Sequence, residues 1–139
     1  MQRVPMNKIQ TGILLVLLFF GLSTFAQTPG KSGIRRTGTF STFEYNKEGG
    51  DVLGVEIRIV RTRTGYQAVV QFAEGEPGDL IVAPVTFEGQ KVRFQIPTGQ
   101  GPSDTFEGAI GAQSLVGKFS RGAAAGEVLK LPRRKSYWD

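Results

Sequence analysis

An all-β fold is what this sequence predicts: an eight-stranded antiparallel up-and-down meander closed into a small barrel. Three observations carry the prediction. Apolar residues recur with period two from Thr37 onward. Glycine- or proline-bearing turns separate the runs at short intervals. No window after the leading segment shows an apolar stripe at helical spacing. Alternation bounded by turn residues marks half-buried antiparallel strands.

The first strand is expected over 38–45, ending at the turn NKEGGD, with Phe43 facing inward. The second, 52–62, contains VEIRIV, in which Val55, Ile57 and Ile59 alternate with Glu56 and Arg58. After the RTG turn comes 66–73, where Tyr66, Ala68, Val70 and Phe72 share a face. AEGEPGD leads into 80–88, with Val82 and Phe87 read as inward. EGQ opens 91–96, where Val92, Phe94 and Ile96 alternate with Arg93 and Gln95. PTGQGPSD, the longest connection, leads to 105–110 with Phe106 and Ile110 inward. GAQ precedes 114–120, which carries Leu115 and Phe119, and RGAAAG precedes 127–132, which carries Leu129 and Leu131.

Connections this short favour sequential neighbours, and closing the meander removes its two free edges. A flattened β-sandwich is the second architecture, because Pro84 removes a donor from the fourth strand. Gly108 shares a face with Phe106 and Ile110, and Gly117 with Leu115 and Phe119. Large-small-large alternation of this kind suits the inside of a narrow barrel.

The chain of 139 residues divides into a leading segment 1–26, a flexible lead-in 27–36, the barrel 37–132 and a tail 133–139. Arg3 and Lys8, the apolar run ILLVLLFFGL and then T-F-A before Gln27 form a signal peptide cleaved after Ala26. The run is about half the ~20 residues of a spanning helix. A membrane contact is therefore expected only through this segment, if it stays uncleaved. The expected location is the periplasm or the extracellular space, and with no cysteine the core is built without disulfides.

Formal net charge is +5, but between Thr37 and Leu131 nine Lys and Arg face eleven Asp and Glu. The positive charge sits in Lys31, Arg35 and Arg36 and in Arg133, Arg134 and Lys135, read as solvated ends. No nucleic-acid partner is expected of such a domain.

Histidine and cysteine are both absent. Their absence removes the commonest general base, the Ser-His and Cys-His nucleophile systems, and the usual zinc sites. Glu44, Glu56, Glu88 and Glu107 read as outward residues beside Arg58, Lys91 and Lys118, as on a solvated sheet face. The acidic turns lack calcium-loop spacing. No catalytic residue, metal or cofactor is assigned.

From Thr39 to Arg133 the F-x-G hairpins and the closing L-K-L-P-R strand resemble lipocalin-like and avidin-like (calycin) barrels. They also resemble small exported bacterial β domains that end in a basic-then-SYW tail. The nearest counterpart of the lipocalin G-x-W is Gly38-Thr39-Phe40, and no ligand residue carries over. The resemblance implies a barrel and no particular activity.

The expected function is that of an exported, non-enzymatic binding or interaction module for a small apolar ligand, a glycan or an envelope protein. The alternatives are a structural accessory protein with a filled core and, third, a carboxylate-based glycan-acting enzyme. Candidate lumen or rim contacts are Tyr66, Phe94, Phe106, Ser103, Asp104, Tyr137 and Trp138. The tail is read as a lid, with Trp138 folded over the barrel mouth; the competing reading is an exposed recognition tail.

Overall fold

A computed structural model describes residues 33–99, 101–122 and 125–139, so the expected signal peptide and the start of the expected lead-in lie outside the described residues. Among the described residues nine strands follow one another: β1 (Gly38–Ser41), β2 (Glu44–Asn46), β3 (Asp51–Thr62), β4 (Gly65–Gly75), β5 (Ile81–Glu88), β6 (Lys91–Ile96), β7 (Asp104–Ile110), β8 (Ser114–Phe119) and β9 (Leu129–Pro132). From β3 to β9 each strand pairs antiparallel with the next, and β1 and β2 share the other edge of β3. The sheet nearly closes into a barrel through a bridge between Phe40 and Arg133 and a 3.1 Å bond from Arg134 N–H to the Thr39 carbonyl.

The expected first strand is split in two, and Thr42 is the reason. Its Oγ1 accepts the Val55 N–H at 3.1 Å, in the place a backbone carbonyl would occupy. Opposite, Gly54 adopts φ +116, and a Cβ there would stand 2.6 Å from the Thr42 carbonyl oxygen. The register is the same on both sides of the break, pairing Phe40 with Ile57 and Tyr45 with Val52.

That register corrects two inward assignments. Phe40, opposite Ile57, is the lumen residue of β1, so Phe43, an odd number of positions on, faces outward. It is buried there in a small separate cluster with Val52 and Ala73. In β5, Ala83 and Val85 oppose Ala68 and Tyr66 and are buried, which turns Val82 outward, 61% exposed. The eighth predicted strand also begins later than expected, at Leu129, so 120–128 and not 97–103 is the longest connection. Pro84 sits in β5 just beyond the ladder with β6, which starts at Val85, so its missing N–H leaves no gap there.

The lumen is filled. Phe94 and Phe106 stack at 4.9 Å, and Phe119 meets Phe106 at 5.1 Å and Phe72 at 5.3 Å. Each fully buried side chain of this size contributes about 1.5–3 kcal/mol. Space for the Phe106 ring comes from Gly108 and Gly117, which face each other across β7 and β8. A Cβ on Gly117 would lie 2.5 Å from Phe106 Cζ and 2.6 Å from the Glu107 carbonyl oxygen. Gly117→Ala is therefore expected to cost about 1–3 kcal/mol, the range for overpacking against backbone that cannot yield. Gly33→Ala, with nothing within 4 Å, is the control and should stay within about 0.5 kcal/mol. Urea melts at constant slope compare the two, and equal midpoints would contradict this packing.

The two barrel ends differ. One carries the tight connections 63–64, 89–90 and 111–113; the other carries 76–80, 97–103 and 120–128. The tight end is sealed by the last part of the lead-in. Ile34 packs on the core, and the Arg36 guanidinium lies 4.9 Å over the Phe87 ring. Arg133 completes the seal, against the expectation of a solvated end. It lies 4.4 Å over the Phe40 ring and donates to the carbonyls of Ala112 (2.8 Å), Thr37 (2.6 Å) and Arg35 (2.7 Å). Burial, and after it the neighbouring Arg35 charge, holds its pKa below the usual arginine value.

Candidate functional site

At the long-loop end the filling of the lumen stops short and leaves a cup of about 490 Å³. Its floor is Phe72 and Phe119, the top of the aromatic stack, and Val55, Ile81, Ile96 and Leu129 form its walls. These are the inward residues nearest the strand ends, so the same alternation that builds the core lines the cup. The rim is polar, with Thr42, Glu74, Thr98, Asp104, Arg121 and Glu127.

Asp104 is the most deeply placed of these polar residues, only 4% exposed. It starts β7, and its Oδ1 accepts the Arg121 N–H at 2.7 Å and the Ser120 Oγ–H at 3.0 Å. These bonds tie the start of the 120–128 loop to β7 and fix that side of the rim. Thr98 Oγ1–H donates to the Pro102 carbonyl at 2.9 Å and folds the neighbouring loop on itself.

The structure distributes the sequence-predicted contacts widely. Asp104 lines the cup. Ser103, one residue before it, is exposed and belongs to a shallow groove outside the wall with Pro84 and Gln95. Phe94 and Phe106 are buried within the filled lumen, 2% and 0% exposed. Tyr66 lies at the opposite, sealed end, edge-on to Phe87 at 5.0 Å and under the Arg61 guanidinium. The lining residues Phe72, Ile81, Ile96, Phe119 and Leu129 were legible as strand residues, but not as belonging to one open end. That requires knowing which loops are long.

Tyr137 and Trp138 do not cover the mouth. The tail folds back along the outer face of β3 and β4. There Glu56, expected to be solvated, is 5% exposed, and its carboxylate accepts the Ser136 Oγ–H at 2.6 Å and the Tyr137 N–H at 3.0 Å. Gln71, the cross-strand neighbour of Glu56, accepts the Trp138 indole N–H at 3.0 Å. Tyr137 meets the edge of Phe43 at 5.8 Å, and Arg134 donates to the Phe43 carbonyl. A buried carboxylate with two donors is a stronger anchor than an exposed apolar mouth, because leaving it unpaired is costly. Trp138 remains 57% exposed. Its emission should therefore lie near that of free indole yet show high anisotropy, and Glu56→Ala should lower the anisotropy without moving the maximum. A blue-shifted wild-type spectrum would contradict this placement.

Among the described residues, no group of three or more Asp, Glu, His or Cys could hold a metal ion, and no helix is long and apolar enough to cross a membrane. Compared with known proteins, the chain matches no family model, no curated protein and no solved structure.

Proposed function

We propose that this chain is an exported, non-enzymatic binding module that takes a small, mostly apolar molecule in the mouth of its near-closed barrel. The observation that carries the reading is the apolar cup, whose aromatic floor is already built by the filled lumen beneath it. Its volume falls within the ~300–1,000 Å³ of small-molecule sites, and a preformed apolar floor with a few convergent polar groups is their usual composition. Export rests on the signal-peptide pattern before Gln27. The likeness to lipocalin-like and avidin-like barrels supports the same reading, since an eight-stranded barrel of this kind can hold one small ligand. The absence of histidine and cysteine speaks for binding over catalysis.

A structural accessory role is the second reading, favoured by the filled lumen below the cup. Native mass spectrometry of protein purified from its own source separates the two. A discrete added mass, lost in Leu129→Trp because the indole fills the cup, is the expected result. An unliganded spectrum, together with no binding of neutral alkyl alcohols in titration, would leave the structural role.

A further inference from the structure

Charge is divided between the ends of the barrel in a way that net charge hides. Eight of the twelve Asp and Glu lie at the mouth end: three in 44–51, three in 74–79, and Asp104 and Glu127. Among the described residues Lys47, Arg121 and the Arg134 guanidinium, which reaches the Phe43 carbonyl, oppose them there. The sealed end carries Arg35, Arg36, Arg61, Arg63, Lys91 and Arg133, with Glu88 the acidic residue among them. The twelve residues of β3 span roughly 40 Å at ~3.3 Å each. The Debye length is about 8 Å at physiological salt, so the basic end does not neutralise the field at the mouth.

Within the cup itself, Glu74, Asp104 and Glu127 face Arg121. Asp104 matters most because it is 4% exposed and rigidly held. Both of its protein hydrogen bonds go to Oδ1, and among the described residues no donor reaches Oδ2. No fully buried side-chain oxygen among those residues lacks a partner, so Oδ2 keeps some exposure, at a residue that lines the cup. A nearly buried carboxylate on the lining of an apolar cavity, with one oxygen free of protein donors, favours a cation there and disfavours an anion.

We propose that the ligand of this cup is a cationic amphiphile, with an apolar chain or ring seated on Phe72 and Phe119 and an ammonium-type group held at the rim by Asp104, Glu74 and Glu127. The proposal rests on the cup being the binding site. Apolar burial supplies the affinity, and the acidic rim supplies the sign of charge that is accepted. The same rim repels fatty carboxylates, whose apolar parts would fit equally well. Steering by the acidic end also speeds the encounter with cations at low salt.

Calorimetric titration of the mature protein with decylammonium, decanol and decanoate, each below its micelle concentration, tests this. Decylammonium should bind about tenfold more tightly than decanol at low salt, the effect of one favourable ion contact near the surface. Decanoate should bind more weakly than decanol, and the ammonium preference should shrink as salt is raised. Asp104→Asn, which keeps the Oδ1 acceptor, and the double variant Glu74→Gln with Glu127→Gln should each reduce the ammonium-to-alcohol affinity ratio toward one. Decanol binding as tightly as decylammonium, or decanoate binding best, overturns the charge preference and leaves the cup as a binding site. Failure of all three probes to bind overturns both readings together.

Discussion

Phe94→Ala is expected to cost about 3–5 kcal/mol of folding stability, whereas Arg93→Ala, one position away, should stay within about 0.5 kcal/mol. Phe94 is 2% exposed, stacks on Phe106 at 4.9 Å and meets Phe119 edge-on at 6.3 Å. Truncating it removes the ring that stacks on Phe106, and the nearly closed wall around it cannot collapse into the void. Arg93 points out of the same strand, and its 3.3 Å pair with Glu107 is 60% and 63% exposed. Exposed pairs of that kind contribute little. Guanidinium melts of the two variants decide the matter, and comparable losses would show that the lumen is not filled as described.

Arg133→Ala is expected to be the second largest loss, about 2–3 kcal/mol. A charged donor adds roughly 1.5–3 kcal/mol per well-made bond, discounted here because part of the group meets water. Its stacking on Phe40 adds about 0.5–1 kcal/mol. The effect should be more than local, because Arg133 joins the lead-in at Arg35 and Thr37, the 111–113 turn and the barrel seam at Phe40. Lysine cannot reproduce the planar fork, so Arg133→Lys should recover only a fraction. Hydrogen exchange gives the independent readout: faster exchange at Phe40 and Arg58, with β6 and β7 unchanged. A variant as stable as wild type would mean that the seam is held by strand pairing alone.

The barrel was legible in the sequence because period-two alternation survives closure of the sheet, and β3, β4, β6, β7 and β8 lie close to where the alternation puts them. Phe43 and Val82 were misplaced for a shared reason. Both lie where apolar residues occupy both parities, Phe40 and Phe43 around β1 and Val82 beside Ala83 and Val85 in β5, so the alternation alone does not say which of them faces in. Asp104 could be picked out because an acidic residue closes the loop 97–103. The rest of the cup could not, since Phe72 and Leu129 differ from other core residues only in lying at the unsealed end. The tail was misjudged for another reason. Ser136 and Glu56 are 80 positions apart, and no local signal links a serine near the terminus to one glutamate among twelve acidic residues.

The seam at Phe40 and Arg133 also sets an order on the making of the molecule. From β3 to β9 each strand pairs with its neighbour in sequence across a short connection, so those pairings close only small loops. The seam is different, because Arg133 meets Thr37 across 96 positions. Bringing such distant segments together costs the most chain entropy, and that cost falls once the meander has curled and carried its two edges close. Ring closure is thus the step that the rest of the meander prepares, and the sheet can exist open before it locks.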